Sequence, residues 1–314
     1  MSAVSIVICV YNGARFLAET MESVRAQTFE DWELIAVDDG STDGSADIVR
    51  RFADARISLI RQENRGAAAA LATGIAAARG EFVALLDQDD LWHPDKLACH
   101  IAQMRADPHV ALTFSWFTYV DQSGRSIGLR SRRCHGTFDF RSLFSDFVIG
   151  ATSNVVIRRD VIALAGGVDP SFPRMYDVDL VLRTALLPSH RTEALPRDLL
   201  LYRRCPQQIS RDFRSLEKEW ERIVVKMRGL APGDVTAVEG AARCSANRYF
   251  SRLAFEQFQF RQALHYMCAG FRAAPLEFLT DFRNWLTAAA CVSGAVMPAR
   301  FHAALERAAG LRRS

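Results

Sequence analysis

The chain has 314 residues, 49% of them hydrophobic, and its 39 basic and 36 acidic side chains give a net charge of +3. This length and apolar content suffice for one sizeable core with a smaller appendage, and the near balance of charge argues against a protein that binds nucleic acid. Seven cysteines without a C-x-x-C pair indicate a reducing cytoplasm, and the lack of a charged leader argues against a signal peptide.

The first hundred residues predict strands that alternate with helices. Apolar, β-branched runs at 4–10, 32–37 and 82–86 have the length and composition of buried strands. Between the first two, apolar side chains recur at helical spacing over 16–24. Because this alternation is typical of a parallel sheet with helical crossovers, we predict an α/β fold with a mostly parallel twisted sheet flanked by helices.

Polar side chains follow each of these strands: Tyr11 and Asn12, then Asp38 and Asp39, then Asp87, Asp89 and Asp90. Ligands of open α/β sheets bind at the carboxyl ends of the strands, so these side chains are expected at one edge. Three carboxylates within four positions repel one another, and a hard cation such as Mg²⁺ or Mn²⁺, which commonly brings a phosphate, would relieve that repulsion. The alternative for this triplet is a solvated turn before a helix.

The motifs of the first hundred residues together resemble family 2 of the glycosyltransferases, which has the GT-A fold. The motifs are Val4-Ser5-Ile6-Val7-Ile8 with Tyr11-Asn12, Ala26-Gln27-Thr28-Phe29 with Trp32-Glu33-Leu34, Val37-Asp38-Asp39-Gly40-Ser41-Thr42-Asp43, Asn64-Arg65-Gly66, Ala78-Arg79-Gly80-Glu81-Phe82, and the acidic triplet with Pro94-Asp95-Lys96-Leu97. The resemblance implies a GT-A catalytic domain over 1–212, in which 1–107 binds the nucleotide sugar and 108–212 the acceptor. An all-α extension over 213–314 would follow.

The resemblance also implies roles at the donor site. Asp39 matches the aspartate that hydrogen-bonds the imide of the base, and Tyr11 lies where the family packs that base. Asp89 matches the carboxylate that coordinates Mg²⁺ or Mn²⁺ beneath the diphosphate of a UDP-, dTDP- or GDP-sugar. Further donor-site contacts are expected from Asn12, Arg65, Asp87, Asp90 and Arg203. Gln88, between the acids, is given no part in the chemistry.

On the acceptor side, Asp177 matches the family's proposed general base, at the start of a helix. Inverting transfer needs such a base to take the proton of the acceptor hydroxyl. The usual Glu before this Asp is replaced by Tyr176, which puts the acceptor class in doubt. A carboxylate in a first helical turn is also stabilised by the helix dipole without any catalysis. Asp179 is expected to pair with Arg183 one turn later.

Many relatives carry a His at the position of Cys205, where it helps to hold the metal or the diphosphate. A thiol suits Mg²⁺ poorly, so metal dependence is expected to be weaker than usual. Arg203 or Arg204, at the end of a strand predicted over 199–204, could compensate by gripping the diphosphate, because a guanidinium matches phosphate geometry. The alternative is that both arginines face water.

The C-terminal third predicts helices and a basic end. Two helical stretches, 241–258 and 261–273, have the layout of a helical hairpin that caps the domain or binds a partner. The apolar run 285–297 is too short to span a bilayer. Five arginines and one glutamate from residue 283 onward give this tail a charge of +4, which suits the anionic inner face of the plasma membrane. A core helix with solvated arginines is the alternative.

These observations favour an inverting, cytoplasmic enzyme that moves one sugar to a hydroxyl of a glycan or lipid-linked glycan during assembly of an O-antigen, capsule or exopolysaccharide. No G-x-G-x-x-G follows the first strand and no P-loop occurs, which argues against an oxidoreductase or a P-loop kinase. Two alternatives stay open: a nucleotidyltransferase of related fold, and a degenerate domain that only binds a partner.

Overall fold

The β-branched runs at the start of the chain form the central strands of a mixed sheet. In the computed structural model, which describes residues 2–205 and 212–296, the strands are β1 (Val4–Val10), β2 (Trp32–Asp38), β3 (Ile57–Arg61), β4 (Phe82–Asp87), β5 (Leu91–Trp92), β6 (Val110–Val120), β7 (Ser126–Arg130), β8 (Gly136–Phe138), β9 (Val156–Arg158) and β10 (Arg191–Arg203). The order of neighbouring strands is β3-β2-β1-β4-β9-β6-β10-β5, with β7 beside β6 and β8 beside β10.

Helices connect these strands and continue to the end of the described chain. They are α1 (Leu17–Arg25), α2 (Ser45–Arg51), α3 (Ala67–Ala77), α4 (Lys96–Ala106), α5 (Phe140–Ser145), α6 (Arg159–Leu164), α7 (Tyr176–Ala185), α8 (Phe213–Leu230), α9 (Pro232–Glu256), α10 (Phe260–Ala273), α11 (Pro275–Thr280) and α12 (Phe282–Val296), with one 3₁₀ turn at Thr152–Asn154. The chain divides into a first unit, 1–143 with 147–209, and a second, 144–146 with 210–314.

Strand register brings the polar strand ends of the first unit together. β1 runs parallel to β2 on one side and to β4 on the other, so that Val10 lies beside Asp38 and Cys9 lies beside Asp87. The inward residues of β1 are fully buried, and Gly74 of α3 lies so close that a Cβ there would come within 2.3 Å of Val7. The predicted α/β architecture of GT-A type is confirmed, with β9 inserted antiparallel between β4 and β6.

Three local predictions differ from the structure. The serine- and arginine-rich composition of 128–134 predicts a loop, but this segment begins inside β7, a short exposed strand that pairs with β6. The apolar run near residue 155 predicts a strand over 153–157, but the strand begins at 156, since Thr152–Asn154 is a 3₁₀ turn. The strand predicted over 199–204 is the end of β10, which starts at Arg191 and continues past register shifts on either side of Asp198.

The second unit is helical from residue 213, as predicted. Its core contains rings from three helices, Phe213, Phe250 and Tyr266, with centroids 5.6–5.9 Å apart in the contacts to Tyr266. A partly buried ion cluster joins Asp146 to Arg248 and Arg283, and these arginines also pair with Asp281. Within the described part of the chain, no helix combines the length and the hydropathy that a bilayer crossing needs.

Candidate active site

The turn after β1 is held by a side chain from residues 87–90, the acidic segment that follows β4. The backbone N–H of Tyr11 donates to Gln88 Oε1 at 2.9 Å, and Gln88 Nε2 donates to Tyr11 O at 3.0 Å. A Cβ on Gly13 would lie 2.0 Å from Gln88 Oε1, so only glycine leaves room for this clamp. Sequence reasoning assigned Gln88 no part in the chemistry, yet this side chain positions Tyr11, a residue that is 49% exposed and accessible to a ligand.

Asn12 ties the same turn to the loop after β2. Its φ of 48° lies in the left-handed region, which Asn tolerates better than most residues. Asn12 Oδ1 accepts from Thr42 N at 2.9 Å, and Asn12 N donates to Ser41 Oγ at 3.0 Å. The Asn12 amide therefore shapes the turn after β1, where the nucleotide base is expected to pack. A direct contact from Asn12 to the donor stays a prediction.

Asp39 is almost fully buried and anchors the segment that leads into α3. Its Oδ1 accepts from Gln62 Nε2 at 2.7 Å and from Arg65 N at 2.9 Å, and its Oδ2 accepts from Gly66 N at 2.8 Å. The exposed Arg65 guanidinium donates to Gln62 Oε1 at 3.1 Å. The carboxylate thus fixes the edge where the base is expected, while base recognition by Asp39 and donor contact by Arg65 stay predictions.

Asp90 differs from its neighbours because its side chain is enclosed. Asp90 Oδ2 accepts from Ser153 Oγ at 2.5 Å, and Oδ1 accepts from the backbone N–H of Arg203 at 2.9 Å. Burial raises the pKa of this carboxyl well above its usual range, and the charges of Asp89 and Asp87 raise it further. These contacts join the acidic segment to β10 and the 3₁₀ turn, which makes Asp90 a framework residue of the site.

The buried Arg203 side chain holds the backbone of the acidic segment in place. The guanidinium is 0% exposed and lies 4.5 Å from the ring centroid of Phe16. Nε donates to Asp89 O, Nη1 to Gln122 O and Nη2 to Glu19 Oε2, each at 2.7 Å. These bonds fix the backbone at Asp89. A direct grip on the diphosphate stays a prediction, and it would require some of these bonds to open.

The carboxylates of the separate strands influence one another's ionisation. Burial raises the pKa of Asp87 to about 8, with further contributions from Asp89 and then Asp177. Burial also raises the pKa of Cys9, at the end of β1, and the charges of Asp87 and Asp39 add to this rise. Strand register brings the ends of β1, β2 and β4 together, and the adjacent residues Thr152 and Ser153 bond Asp177 of α7 and the backbone of Asp87. These segments therefore form one acidic region.

The donor chemistry at Asp87 and Asp89 fits a hard divalent cation. Both side chains are half-buried carboxylates, and their crowding creates excess negative charge that a cation would relieve. Within residues 2–205 and 212–296, no three His, Cys, Asp or Glu side chains form a ready metal cage. Mg²⁺ usually takes only one or two protein carboxylates and fills its remaining positions with water and substrate phosphates, so this site type suits it.

Asp177 lies in the first turn of α7. Its Oδ2 accepts from Thr152 Oγ1 at 3.0 Å, and its Oδ1 accepts from Val178 N at 2.8 Å. Two residues on, the buried Asp179 pairs with Arg183 at 2.6 Å, as its spacing predicted. Asp179 is therefore structural, whereas the half-buried Asp177 faces the acidic strand ends. Sequence reasoning missed Thr152 and its neighbour Ser153, which carry no signal beyond their small hydroxyl side chains.

Cys205 and Tyr176 stand where the family resemblance implies His and Glu. Burial raises the pKa of the Cys205 thiol, and the nearby charge of Asp89 raises it further, so the sulfur stays protonated. Burial likewise raises the pKa of the Tyr176 phenol, with contributions from Asp87, Cys9 and Asp177. Both side chains therefore lie in the field of the acidic residues as neutral groups.

Two similar proteins are described as glycosyltransferases. A glycosyltransferase of Nostoc sp. that is described as uncharacterized is 34% identical over 209 residues, which are 64% of this chain and 64% of that protein. The Escherichia coli UDP-Glc:alpha-D-GlcNAc-diphosphoundecaprenol beta-1,3-glucosyltransferase WfgD is 30% identical over 223 residues, 69% of this chain and 84% of that enzyme. The chain thus spans slightly less than two thirds of the Nostoc relative.

Solved structures share the fold over most of the chain, and one of them has both a donor and a metal ion bound. It is the mannosyltransferase PcManGT from Pyrobaculum calidifontis in complex with GDP-Man and Mn²⁺, with a TM-score of 0.61 and 21% identity, covering 94% of this chain and 86% of that one. The sequence profile of glycosyl transferase family 2 matches residues 5–164, more than half of the chain. With the acidic strand ends of its GT-A sheet, the chain belongs to glycosyl transferase family 2.

Proposed function

We propose that the protein is an inverting glycosyltransferase that moves one sugar from a nucleoside-diphosphate sugar to an acceptor hydroxyl. The observation that carries the proposal is the convergence of acidic residues from separate elements. The backbone N–H of Asp39 donates to Val10 O at the end of β1, beside which Asp87 also lies. The adjacent residues Thr152 and Ser153 bond Asp177 and the backbone of Asp87. A nucleotidyltransferase would not need a base on the helix opposite the diphosphate. The intact acidic set argues against a degenerate binding domain.

A nucleotide-sugar donor is supported by the named relatives. The E. coli relative is named for UDP-Glc, and the Pyrobaculum structure contains GDP-Man and Mn²⁺. In this chain Asp89 would hold a divalent cation, assisted by Asp87, and the bound cation would neutralise the charge of the departing nucleoside diphosphate. Tyr11 would pack the base, and Asp39 would fix the edge that recognises it.

Asp177 is proposed to take the proton from the acceptor hydroxyl. Its carboxylate lies on the acceptor-side helix, and its charge is felt at Asp87 on the donor side. A hydroxyl between these groups would be placed to attack the sugar carbon from the face opposite the leaving diphosphate, which gives inversion. Proton transfer by a positioned base contributes about 10²–10⁴-fold to a rate.

The acceptor is proposed to be a lipid-linked glycan used in assembly of a surface polysaccharide. The E. coli relative is named for a GlcNAc-diphosphoundecaprenol acceptor. Such an acceptor would place the enzyme at the cytoplasmic face of the membrane. α12 presents exposed apolar side chains on one stripe, Phe282, Trp285, Leu286 and Val292. Sequence analysis assigned this contact to the basic tail from residue 283 onward. Of that tail, Arg283 is paired with Asp146 and Asp281, and residues 297–314 lie outside the described part of the chain.

Two measurements test the membrane contact and the reaction. The full chain should sediment with anionic vesicles, and Trp285→Glu should weaken this binding while the exposed control Val225→Glu on α8 should not.

For the reaction, Asp177→Asn should abolish transfer yet keep donor affinity, whereas Asp47→Asn, at an exposed ion pair with Arg50, should behave like wild type. Equal loss of donor binding in Asp177→Asn would contradict its assignment as base.

A further inference from the structure

A side-chain hydrogen bond joins the 3₁₀ turn to the proposed base. Thr152 Oγ1 donates to Asp177 Oδ2 at 3.0 Å. A hydroxyl carries a single proton. Because Thr152 gives this proton to Asp177, the bond fixes one oxygen of the carboxylate.

Thr152 is fixed to the donor side of the site. Thr152 opens the 3₁₀ turn, and the next residue, Ser153, is fully buried. Ser153 Oγ accepts from the backbone N–H of Asp87 at 2.9 Å and donates to Asp90 Oδ2 at 2.5 Å. The carbonyl of Ser153 accepts from Trp92 Nε1 at 3.1 Å. The Thr152 hydroxyl therefore has a defined place relative to the acidic segment.

We propose that Thr152 is a positioning residue that orients the Asp177 carboxylate towards the acceptor hydroxyl and registers it against the donor-side acids. The inference deepens the proposed function, since it rests on Asp177 as the base. Thr152 is not proposed to touch the sugar or to exchange a proton with it.

The test compares Thr152→Val, which keeps the shape of the side chain without its hydroxyl, with Thr152→Ser, which keeps the hydroxyl. Loss of a hydrogen bond to a charged group changes an equilibrium by about 10–100-fold. We expect Thr152→Val to lower kcat by about that factor and to leave the KM for the donor sugar within about threefold. Thr152→Ser should retain most of the wild-type kcat. Thr28→Val removes a comparable threonine–aspartate bond to Asp95 far along the chain and serves as the matched control.

Two results would overturn the proposal. One is an equal loss of kcat in Thr152→Val and Thr152→Ser. The other is a change confined to KM in Thr152→Val.

Asp177→Asn separates this inference from the proposed function. If that variant keeps full transfer, the base assignment fails and the inference falls with it. If Asp177→Asn abolishes transfer while Thr152→Val keeps the wild-type kcat, the positioning role alone is wrong. Thermal unfolding of each variant shows whether a lost rate reflects a lost fold.

Discussion

Replacing Gln88 with alanine removes both hydrogen bonds that hold the backbone of Tyr11. The amide accepts from Tyr11 N at 2.9 Å and donates to Tyr11 O at 3.0 Å. With no Gln88 partner for either backbone group, the turn that carries Tyr11, which is proposed to pack against the nucleotide base, gains conformational freedom. We expect the variant to fold and to bind a nucleoside diphosphate more weakly, since the donor must then order the turn itself.

The size of this effect follows from the two bonds. A typical hydrogen bond contributes about 0.5–1.5 kcal/mol net. Because Tyr11 is about half exposed, water replaces part of each lost bond, and we expect a loss of about 1–2 kcal/mol in total. That corresponds to a rise of about 5–30-fold in the Kd for the nucleoside diphosphate.

Isothermal titration with UDP and GDP in the presence of Mn²⁺ measures the change. Gln103→Ala is the matched control. Gln103, in α4, also makes a side-chain hydrogen bond, which it donates to Glu193 of β10 at 2.6 Å. Gly13→Ala offers a second route to the same clamp, since its Cβ would lie 2.0 Å from Gln88 Oε1. The end of the Gln88 side chain would have to move, and both bonds to Tyr11 would open.

The double variant Gly13→Ala/Gln88→Ala decides whether the clamp is the cause. Removing the Gln88 amide gives the new methyl group space, so the double variant should bind no worse than the weaker single variant. If the two losses simply add, or if Gln88→Ala binds as tightly as wild type, the clamp does not support the donor site and the reasoning is wrong.

Three further predictions concern the cation, the buried ion pair and pH. Asp89→Ala should abolish the gain in nucleoside-diphosphate affinity that Mn²⁺ gives, with little change in metal-free binding; equal titrations with and without Mn²⁺ in wild type would contradict the cation site. Arg183→Met leaves Asp179 buried and should reduce the free energy of unfolding by about 3–5 kcal/mol, whereas Arg50→Met at an exposed pair should change it by less than about 0.5 kcal/mol. Burial lowers the pKa of Lys96 from 10.5 to about 7, so within this window the unfolded chain binds a proton that the folded chain lacks, and this group makes stability rise with pH. Urea unfolding near pH 7 and pH 9 should therefore show wild type gaining stability relative to Lys96→Met as the pH rises. If the difference in free energy of unfolding between the two proteins is the same at both pH values, the lowered pKa of Lys96 is wrong.

Much of the first unit could be predicted because its signals are local. Buried parallel strands are continuous apolar runs, and the residue after each run lies at the ligand edge by geometry alone. Asp39, Asp87, Asp89 and Asp90 were found in this way. β7 was missed because its exposed residues form a strand only through pairing with β6.

The sequence by itself determined the kind of fold, the family and the carboxylates at the strand ends, since each depends on residue type and short-range periodicity. Only the tertiary structure decided which side chains are enclosed and which face a ligand. Arg203 and Asp90 are 113 positions apart, and their bond depends on how β10 lies against the acidic segment. The clamp of Gln88 on Tyr11 and the bond of Thr152 to Asp177 likewise join distant segments. Such contacts arise from packing, which leaves no periodic pattern in the chain.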